Sequence, residues 1–498
     1  MPFSDRYAPA THHSRLGDEF YDVVKAADFP AHILRYRNDD VSPRIGLDTL
    51  DDTEWTRHFG YFDPLPGSLP HPLALRYHGH QFRSYNPDLG DGRGFLFAQL
   101  MDAVDGRLLD IGTKGSGTTP WSRGGDGRLT LKGGMREILA SEHLDALGVR
   151  TSRTLSVIET GEQLHRGDEP SPTRSCVLAR LSHSHIRIGT FQRLMAQDDR
   201  ASMERLVAYV IETYYPQLTG AADPAAALYD AATLRMAEMT AQWMAAGFVH
   251  GVLNTDNINI TGESFDYGPW RFLPSFDPRF TAAYFDHSGL YSYGRQPEAM
   301  TWNVARLGEC LLPFSTLEKI QSIFDKFWER YERFLDITVL KRLGLKESSR
   351  KSSMELREYL FSFMDESQIG FELPFFDWYG GPESQKRATE GPRGDFYAQD
   401  SFRPVHDRIM QHEPAAGIDL SHSYFGNAAP AMMAVETVEA IWQPIAAMDD
   451  WSRLHATLDR IASTKAALHT PPPEGGATPC RAPDRNRSIY NRKEKAPV

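Results

Sequence analysis

The stretch 250-HGVLNTDN-257, followed by 266-DYG-268, decides our prediction of the fold. Enzymes of the protein-kinase fold end their catalytic loop with an Asn, in the pattern HRDxxxxN, and carry a second metal ligand in a DFG-type turn. His250 and Asn257 have the spacing of that loop, and Asp266 opens the matching turn. Because amide and carboxylate oxygens suit Mg²⁺, we predict Asn257 and Asp266 to be its ligands in an ATP site.

One position of this loop departs from the kinase pattern. Where the pattern has its catalytic Asp, this chain has Val252, which cannot accept a proton. Asp256, next to Asn257, is the candidate for a displaced general base. The alternative is a turn-rich connection without chemistry, since Asn, Thr, Asp and Gly are common in turns. We favour the catalytic interpretation because three spacings would otherwise have to agree by accident.

A Lys and a Glu further upstream fit the same fold. Lys114 lies at the end of a predicted strand, and Glu137 lies in the helix that follows. Kinases pair a strand Lys that contacts phosphates with a helix Glu. Glu142 on the same helix is a rival partner, and solvated side chains are the alternative for all three residues.

Glycine-rich segments and two arginines complete the predicted nucleotide site. The segments 90-GDGRG-94 and 124-GGDG-127 allow a close backbone approach to an anion, although neither is a Rossmann or P-loop motif. Flexible turns are the alternative. Arg180 and Arg187 carry guanidinium groups that suit phosphate oxygens, with an ordinary surface position as the alternative.

Hydrophobic periodicity and turn residues give the order of elements. We predict strands over 95–101, 107–113, 152–161, 175–182 and 248–249, and helices over 135–147, 201–215, 230–246, parts of 297–365 and parts of 430–468. The alternating residues 258–266 predict a small hairpin that turns at Gly262-Glu263.

This order predicts an α+β, kinase-like bilobal fold with its site in the cleft between two lobes. We expect an N-terminal extension over 1–72 and a mainly β N-lobe over 73–195. A mainly helical C-lobe follows over 196–470, and a Pro- and Arg-rich tail over 471–498.

The composition indicates which partners and which cellular compartment to expect. The net charge is −12, which argues against a nucleic-acid partner. The three cysteines, Cys176, Cys310 and Cys480, form no CxxC pair, and so few in 498 residues suggest a reducing compartment. The N-terminus has no apolar core segment and no run of about 18 apolar residues occurs. We therefore expect a cytoplasmic protein without a membrane span.

Five ordered stretches resemble the selenoprotein O family (SelO, also called YdiU). They cover roughly 73–312, and we expect the chain beyond about 360 to diverge from the family. The stretches are 77-YHGHQFRSYNPDLGDGRG-94, 110-DIGTKGSGTTPWSRGGDGR-128, 136-REILASEHLDALGV-149, 180-RLSHSHIRIG-189 and 247-GFVHGVLNTDNINITGESFDYGP-269.

The resemblance implies an activity that the motifs alone do not identify. Members of this family are kinase-like, lack the usual catalytic Asp, and bind ATP flipped relative to kinases. They transfer AMP to Ser, Thr or Tyr hydroxyls of proteins and release pyrophosphate. The site residues implied are Gly90, Gly92, Arg93, Asp126 and Gly127 for the nucleotide, Lys114, Arg180 and Arg187 for phosphates, Glu137 as the partner of Lys114, Asp256 as proton acceptor, and Asn257 and Asp266 for Mg²⁺ or Mn²⁺.

Two other functions stay open at this point. A phosphotransferase of the same fold is one, although Val252 argues against it. A non-catalytic ATP-binding pseudokinase scaffold is the other, although the pair of metal ligands argues against that.

Overall fold

The structure, a computed structural model, describes residues 3–167 and 169–469. Its described residues combine a large antiparallel sheet with many helices. The predicted tail over 471–498, which contains Cys480, lies outside the described residues.

Thirteen short and long strands occur within the described residues. They are β1 (Pro9–Ala10), β2 (Tyr21–Val23), β3 (Ile33–Arg37), β4 (Leu73–Leu75), β5 (Gly79–Gln81), β6 (Ser84–Asn86), β7 (Leu96–Met101), β8 (Leu108–Lys114), β9 (Leu129–Thr130), β10 (Arg153–Leu164), β11 (Thr173–Ser182), β12 (Phe248–Val249) and β13 (Arg271–Phe272).

Fifteen α-helices occur in the same part of the chain, most of them after residue 187. They are α1 (Asp52–Phe59), α2 (Leu131–Ala146), α3 (Ile188–Ala196), α4 (Arg200–Tyr214), α5 (Pro224–Ala245), α6 (Gln296–Leu311), α7 (Leu317–Phe324), α8 (Phe327–Arg342), α9 (Arg350–Ser367), α10 (Leu373–Asp377), α11 (Gln385–Glu390), α12 (Gly394–Tyr397), α13 (Arg403–Ile409), α14 (Val435–Met448) and α15 (Ser452–Leu468).

Nine strands form one antiparallel sheet in the order β2-β4-β7-β8-β11-β10-β3, with β1 paired to β7 and β9 paired to β11. Strands β1, β2 and β3 come from residues 1–72, so this segment is part of the sheet. Short strands of this kind give little periodic signal, and their partners are distant in sequence.

The two faces of the sheet pack against different partners, as the alternation of β11 requires. Val177 and Ala179 join a cluster that includes Trp55 of α1. Cys176 and Leu178 point the other way and pack with Ile138 of α2. Helices α14 and α15 then pack on α2. Among the described residues, no helix is both long and apolar enough to cross a membrane.

The predicted central strands and long helices are confirmed, with two helix starts shifted. Helix α2 begins at Leu131, because the Thr130 hydroxyl accepts a hydrogen bond from Gly133 N at 3.1 Å. Gly134 lies inside this helix, where a side chain would collide with Cys176 Sγ. Helix α5 likewise begins early, at Pro224, behind the cap residue Asp223.

The hairpin predicted over 258–266 is wrong. The chain does turn at Gly262, with a φ of 62°, but the two arms bond to other segments. Asn259 pairs with Arg187, and Ser264 pairs with Thr151. Long-range partners satisfy these backbone groups, and local alternation could not reveal that.

A two-residue turn joins β5 and β6 in an unfavourable backbone conformation. Phe82 and Arg83 have φ angles of 49° and 65°, a combination that such hairpins usually assign to Asn-Gly. A left-handed non-glycine residue costs about 1–2 kcal/mol, whereas the exposed ion pair between Arg83 and Glu298 contributes less than about 1 kcal/mol. We therefore expect Arg83→Gly to raise the free energy of unfolding by about 0.5–1 kcal/mol.

Chemical denaturation of the purified variant measures this gain. Arg295→Gly is the matched control, because Arg295 also pairs with Glu298 but has a φ of −99°. Equal losses of stability in both variants would show that the turn stores no strain.

Candidate active site

A cavity of about 740 Å³ lies between the sheet and the helical part of the chain. It is lined by eleven of the twelve predicted site residues, namely Gly90, Gly92, Arg93, Lys114, Asp126, Gly127, Arg180, Arg187, Asp256, Asn257 and Asp266. The twelfth, Glu137, is buried behind Lys114.

Three cations converge on Asp266. Lys114 Nζ lies 3.0 Å from Asp266 Oδ1, Arg180 Nη1 lies 3.2 Å from the same oxygen, and Arg187 Nη1 lies 3.5 Å from Oδ2. Burial by itself would raise the pKa of Asp266, but the charges of these three side chains outweigh it and hold that pKa well below its ordinary value. The carboxylate is therefore ionised, and the cations that surround it could also bind an anionic ligand.

The Asp266 backbone has a φ of 64°. This left-handed conformation is uncommon for a residue other than Gly, and Asp is one of the few that adopt it. Such backbone strain clusters at functional sites.

Lys114 is fixed from behind by a second acid. Its ammonium group makes a close ion pair with Glu137 of α2, and both side chains are nearly inaccessible to solvent. The rival Glu142 instead binds Arg153 and the Asn38 amide. The helix therefore presents Glu137, not Glu142, to the site.

The loop that carries the first motif is held by buried polar contacts. His250 donates its backbone N–H to Gln296 Oε1 at 3.0 Å, and its Nε2 lies 3.0 Å from Phe265 O. Burial lowers the pKa of His250, so the ring is neutral and links the two motifs structurally. Asn257 donates its amide N–H to Val252 O at 3.0 Å, which leaves Asn257 Oδ1 available to a cation.

Asp256 has the properties of a proton acceptor. Its side chain is 8% exposed, and within the described residues its Oδ1 atom has no hydrogen-bond partner. Burial raises the pKa of Asp256 to about 6, although the nearby charge of Arg187 acts in the opposite direction. The apolar Val252 lines the same cavity. A carboxylate with a free oxygen and a pKa near neutrality is suited to general-base catalysis.

The first glycine segment lies against Trp121, a residue that the sequence analysis did not single out. A side chain on Gly90 would come within 2.4 Å of the Trp121 ring, and one on Gly92 within 2.8 Å of Trp121 O. The Trp121 indole N–H donates to Asp22 at 2.9 Å, which fixes the ring. The glycines therefore permit the close approach that shapes this wall of the cavity.

We expect Gly90→Ala to weaken ATP binding at least about tenfold, because the new methyl group must displace Trp121 from the cavity wall. Titration with a fluorescent ATP analogue measures the dissociation constant. Gly426→Ala is the control, since a methyl group there meets no atom within 4 Å. Unchanged affinity in Gly90→Ala would separate this wall from the nucleotide site.

The mouth of the cavity carries additional charges. Arg93 and Arg123 are exposed and have no ion-pair partner in the part of the chain that the structure describes. The Asp126 carboxylate forms an ion pair with Arg166 at 2.8 Å. It therefore holds the Arg166 guanidinium at the mouth of the cavity. Asp91, also missed by the sequence analysis, binds Arg187 at 3.2 Å and Leu75 N at 3.1 Å. The position of Asp91 inside the glycine segment 90-GDGRG-94 was the sequence signal that could have identified it as a site residue.

The oxygen donors in the cavity fit a hard divalent cation. Asn257 Oδ1 and both oxygens of Asp266 are amide and carboxylate oxygens, the donors that Mg²⁺ and Mn²⁺ prefer.

Comparisons with known proteins find relatives over most of the chain. The sequence model of a family described as "Protein adenylyltransferase SelO" matches residues 4–462. A "Protein nucleotidyltransferase YdiU" of Trichormus variabilis is 43% identical over 472 residues, or 92% of this chain and 96% of the relative. The protein of that name from Synechococcus elongatus is 45% identical over 478 residues, or 91% and 94%. One from Cereibacter sphaeroides is 38% identical over 370 residues, or 73% and 76%.

These matches correct one expectation. We expected the chain to diverge from the family beyond about 360, yet the family match continues to residue 462. Our motifs lie in the nucleotide site, where a few residue types carry the chemistry. The later helices bury mainly apolar side chains, which form no motif that can be recognised in the sequence.

Proposed function

The chain belongs to the SelO family of protein adenylyltransferases, and on this premise we propose that it transfers AMP from ATP to Ser, Thr or Tyr hydroxyls of proteins and releases pyrophosphate. Family membership makes the protein a nucleotidyltransferase. The nature of the transferred group, the acceptor and the residue roles are our proposal.

A kinase-like bilobal fold is part of this proposal. In our proposal, residues 73–195 form the N-lobe, and residues 1–72 are an N-terminal extension that adds strands to its sheet. Residues 196–470 form the mainly helical C-lobe. The ion pair of Lys114 with Glu137 and the two motifs that end in Asn257 and Asp266 meet in one cavity. These parts have the same roles in phosphoryl-transfer enzymes of the kinase fold.

The cations of the cavity hold the phosphates in our proposal. In the structure, the side chains of Lys114, Arg180 and Arg187 bind the Asp266 carboxylate. In our proposal the phosphates of bound ATP replace part of these contacts with Asp266. Gly90, Gly92, Arg93, Asp126 and Gly127 line the remainder of the nucleotide site. The β- and γ-phosphates form the leaving group, and positive charge next to them stabilises the charge that develops as the bond breaks.

One observation carries the proposed mechanism: the side chain of buried Asp256, whose Oδ1 atom has no hydrogen-bond partner among the described residues, lines a cavity where Val252 replaces the kinase base. Asp256 takes the proton of the acceptor hydroxyl. The hydroxyl oxygen then forms a bond to the α-phosphorus, the bond between that phosphorus and the oxygen bridging to the β-phosphate breaks, and pyrophosphate leaves.

Asn257 and Asp266 hold Mg²⁺, or Mn²⁺, in this proposal. When bound, the ion neutralises charge on the phosphate oxygens. The Asn257 amide is oriented for this role by its hydrogen bond to Val252 O. The low pKa of Asp266 keeps its carboxylate ionised.

The experiment that tests the proposal uses ATP labelled at either the α- or the γ-phosphate. The purified protein is incubated with Mg²⁺, labelled ATP and a mixture of acceptor proteins. We expect the α-label to become protein-bound and the γ-label to appear in pyrophosphate. A protein-bound γ-label would instead identify a phosphotransferase. ATP binding without any transfer would identify a pseudokinase scaffold.

A further inference from the structure

Three exposed aromatic side chains, Phe82, Tyr284 and Phe285, form what we call the aromatic patch. Their exposed fractions are 37%, 75% and 42%. The rings of Phe82 and Phe285 lie 5.9 Å apart, and those of Tyr284 and Phe285 lie 5.1 Å apart. Single exposed apolar residues are common on proteins, but a contiguous group is characteristic of an interaction site.

The patch is attached directly to the loop that contains Asp256. Phe82 N donates to Asn254 Oδ1 at 3.0 Å, and the Tyr291 hydroxyl donates to the same oxygen at 2.8 Å. Both Asn254 and Gln81, the neighbour of Phe82, line the cavity. The patch is therefore linked through Phe82 to residues that line the cavity, on the side of the proposed base.

The turn that presents Phe82 is strained. Phe82 and Arg83 both have positive φ angles at positions where Asn-Gly would fit without strain. An apolar ring is thus held next to residues that line the cavity at a cost in stability. Strain kept next to a reacting group points to a function in binding.

Charged groups beside the patch are already engaged within the chain. Arg83 pairs with Glu298 at 3.0 Å, and the Asp286 carboxylate accepts hydrogen bonds from Leu290 N and Tyr291 N. The patch is therefore suited to select a partner by apolar contact rather than by charge.

We infer that the aromatic patch is the docking surface for the protein substrate, where it binds an aromatic or aliphatic side chain close to the hydroxyl that is modified. This inference rests on the proposed function. An extended segment advances about 3.3–3.6 Å per residue. Since the patch adjoins residues that line the cavity, the docked side chain lies a few residues from the acceptor.

Binding of two fluorescent peptides tests the inference. Each peptide contains one acceptor Ser. One has Phe about three residues from it on both sides, and the other has Gln there. Anisotropy is measured with Mg²⁺ and a non-hydrolysable ATP analogue. We expect the wild-type protein to bind the Phe peptide at least about tenfold more tightly, and the triple variant Phe82→Asn, Tyr284→Ser, Phe285→Ser to lose that preference.

The control is Trp328→Ser, which removes a similarly exposed aromatic side chain (45%) on α8 and should keep the preference. Equal binding of both peptides by the wild type, or a preference that survives in the triple variant, would overturn the inference. So would light scattering that shows a stable dimer which only the triple variant dissociates, because a second copy would then cover the patch. A peptide preference together with a protein-bound γ-label in the ATP experiment would refute AMP transfer but leave the docking surface standing.

Discussion

Asp256→Asn is expected to lower kcat for AMP transfer by about 10²–10⁴-fold. Asn keeps the size of the side chain but cannot take the proton of the acceptor hydroxyl. The residue is buried and its Oδ1 atom has no partner among the described residues, so the change removes little packing or hydrogen bonding. ATP affinity should therefore stay within a few-fold of the wild type.

Initial rates with α-labelled ATP, together with ATP titrations, measure this split between catalysis and binding. Asp198→Asn is the matched control. Asp198 is exposed, does not line the cavity and has a positive φ that Asn tolerates. If Asp256→Asn kept wild-type activity, Asp256 would have no place in the mechanism.

Asp266→Asn is expected to abolish measurable transfer and to destabilise the protein without nucleotide. The change removes a proposed metal ligand and leaves Lys114, Arg180 and Arg187 without the carboxylate that they share. Removing one partner of a buried ion pair costs about 3–5 kcal/mol, and because Asp266 is 23% exposed we expect about 2–3 kcal/mol. Pyrophosphate should restore part of this stability, since the freed cations can bind it.

Denaturation with and without pyrophosphate measures this effect. The control is Asp277→Asn, which removes an acid next to exposed Arg279. Its free energy of unfolding should stay close to that of the wild type, both with and without pyrophosphate. A stable Asp266→Asn protein with an unaltered response would contradict the assignment of these cations to phosphate binding.

The motifs could be predicted because the chemistry sets their local spacing. His250, Asn257 and Asp266 lie within one short segment, and the structure places Asn257 and Asp266 in one cavity while buried His250 links the two motifs through Phe265 O. Lys114 and Glu137 follow from a strand and the next helix. Only the choice between Glu137 and Glu142 needed the structure, since both lie on α2.

The features that the sequence could not reveal depend on distant contacts. Trp121 shapes the cavity because Gly90 and Gly92 lie against it and Asp22 holds its indole. The arms around Gly262 pair with Arg187 and Thr151 instead of each other.

The turn at Phe82 and Arg83 was also not predictable. Neither residue type indicates a two-residue hairpin turn, yet contacts with the loop of Asp256 hold Phe82 there. Tertiary structure overrides local preference at this position, which is next to the proposed site.

The most direct test of the central claim is the stoichiometry of the products. Purified protein is incubated with Mg²⁺, ATP and an acceptor protein, and the nucleotide products are quantified alongside the mass added to the acceptor. We predict one pyrophosphate released for each AMP unit attached, with no ADP formed in the transfer. ADP released in step with phosphate attached to the acceptor would contradict the account.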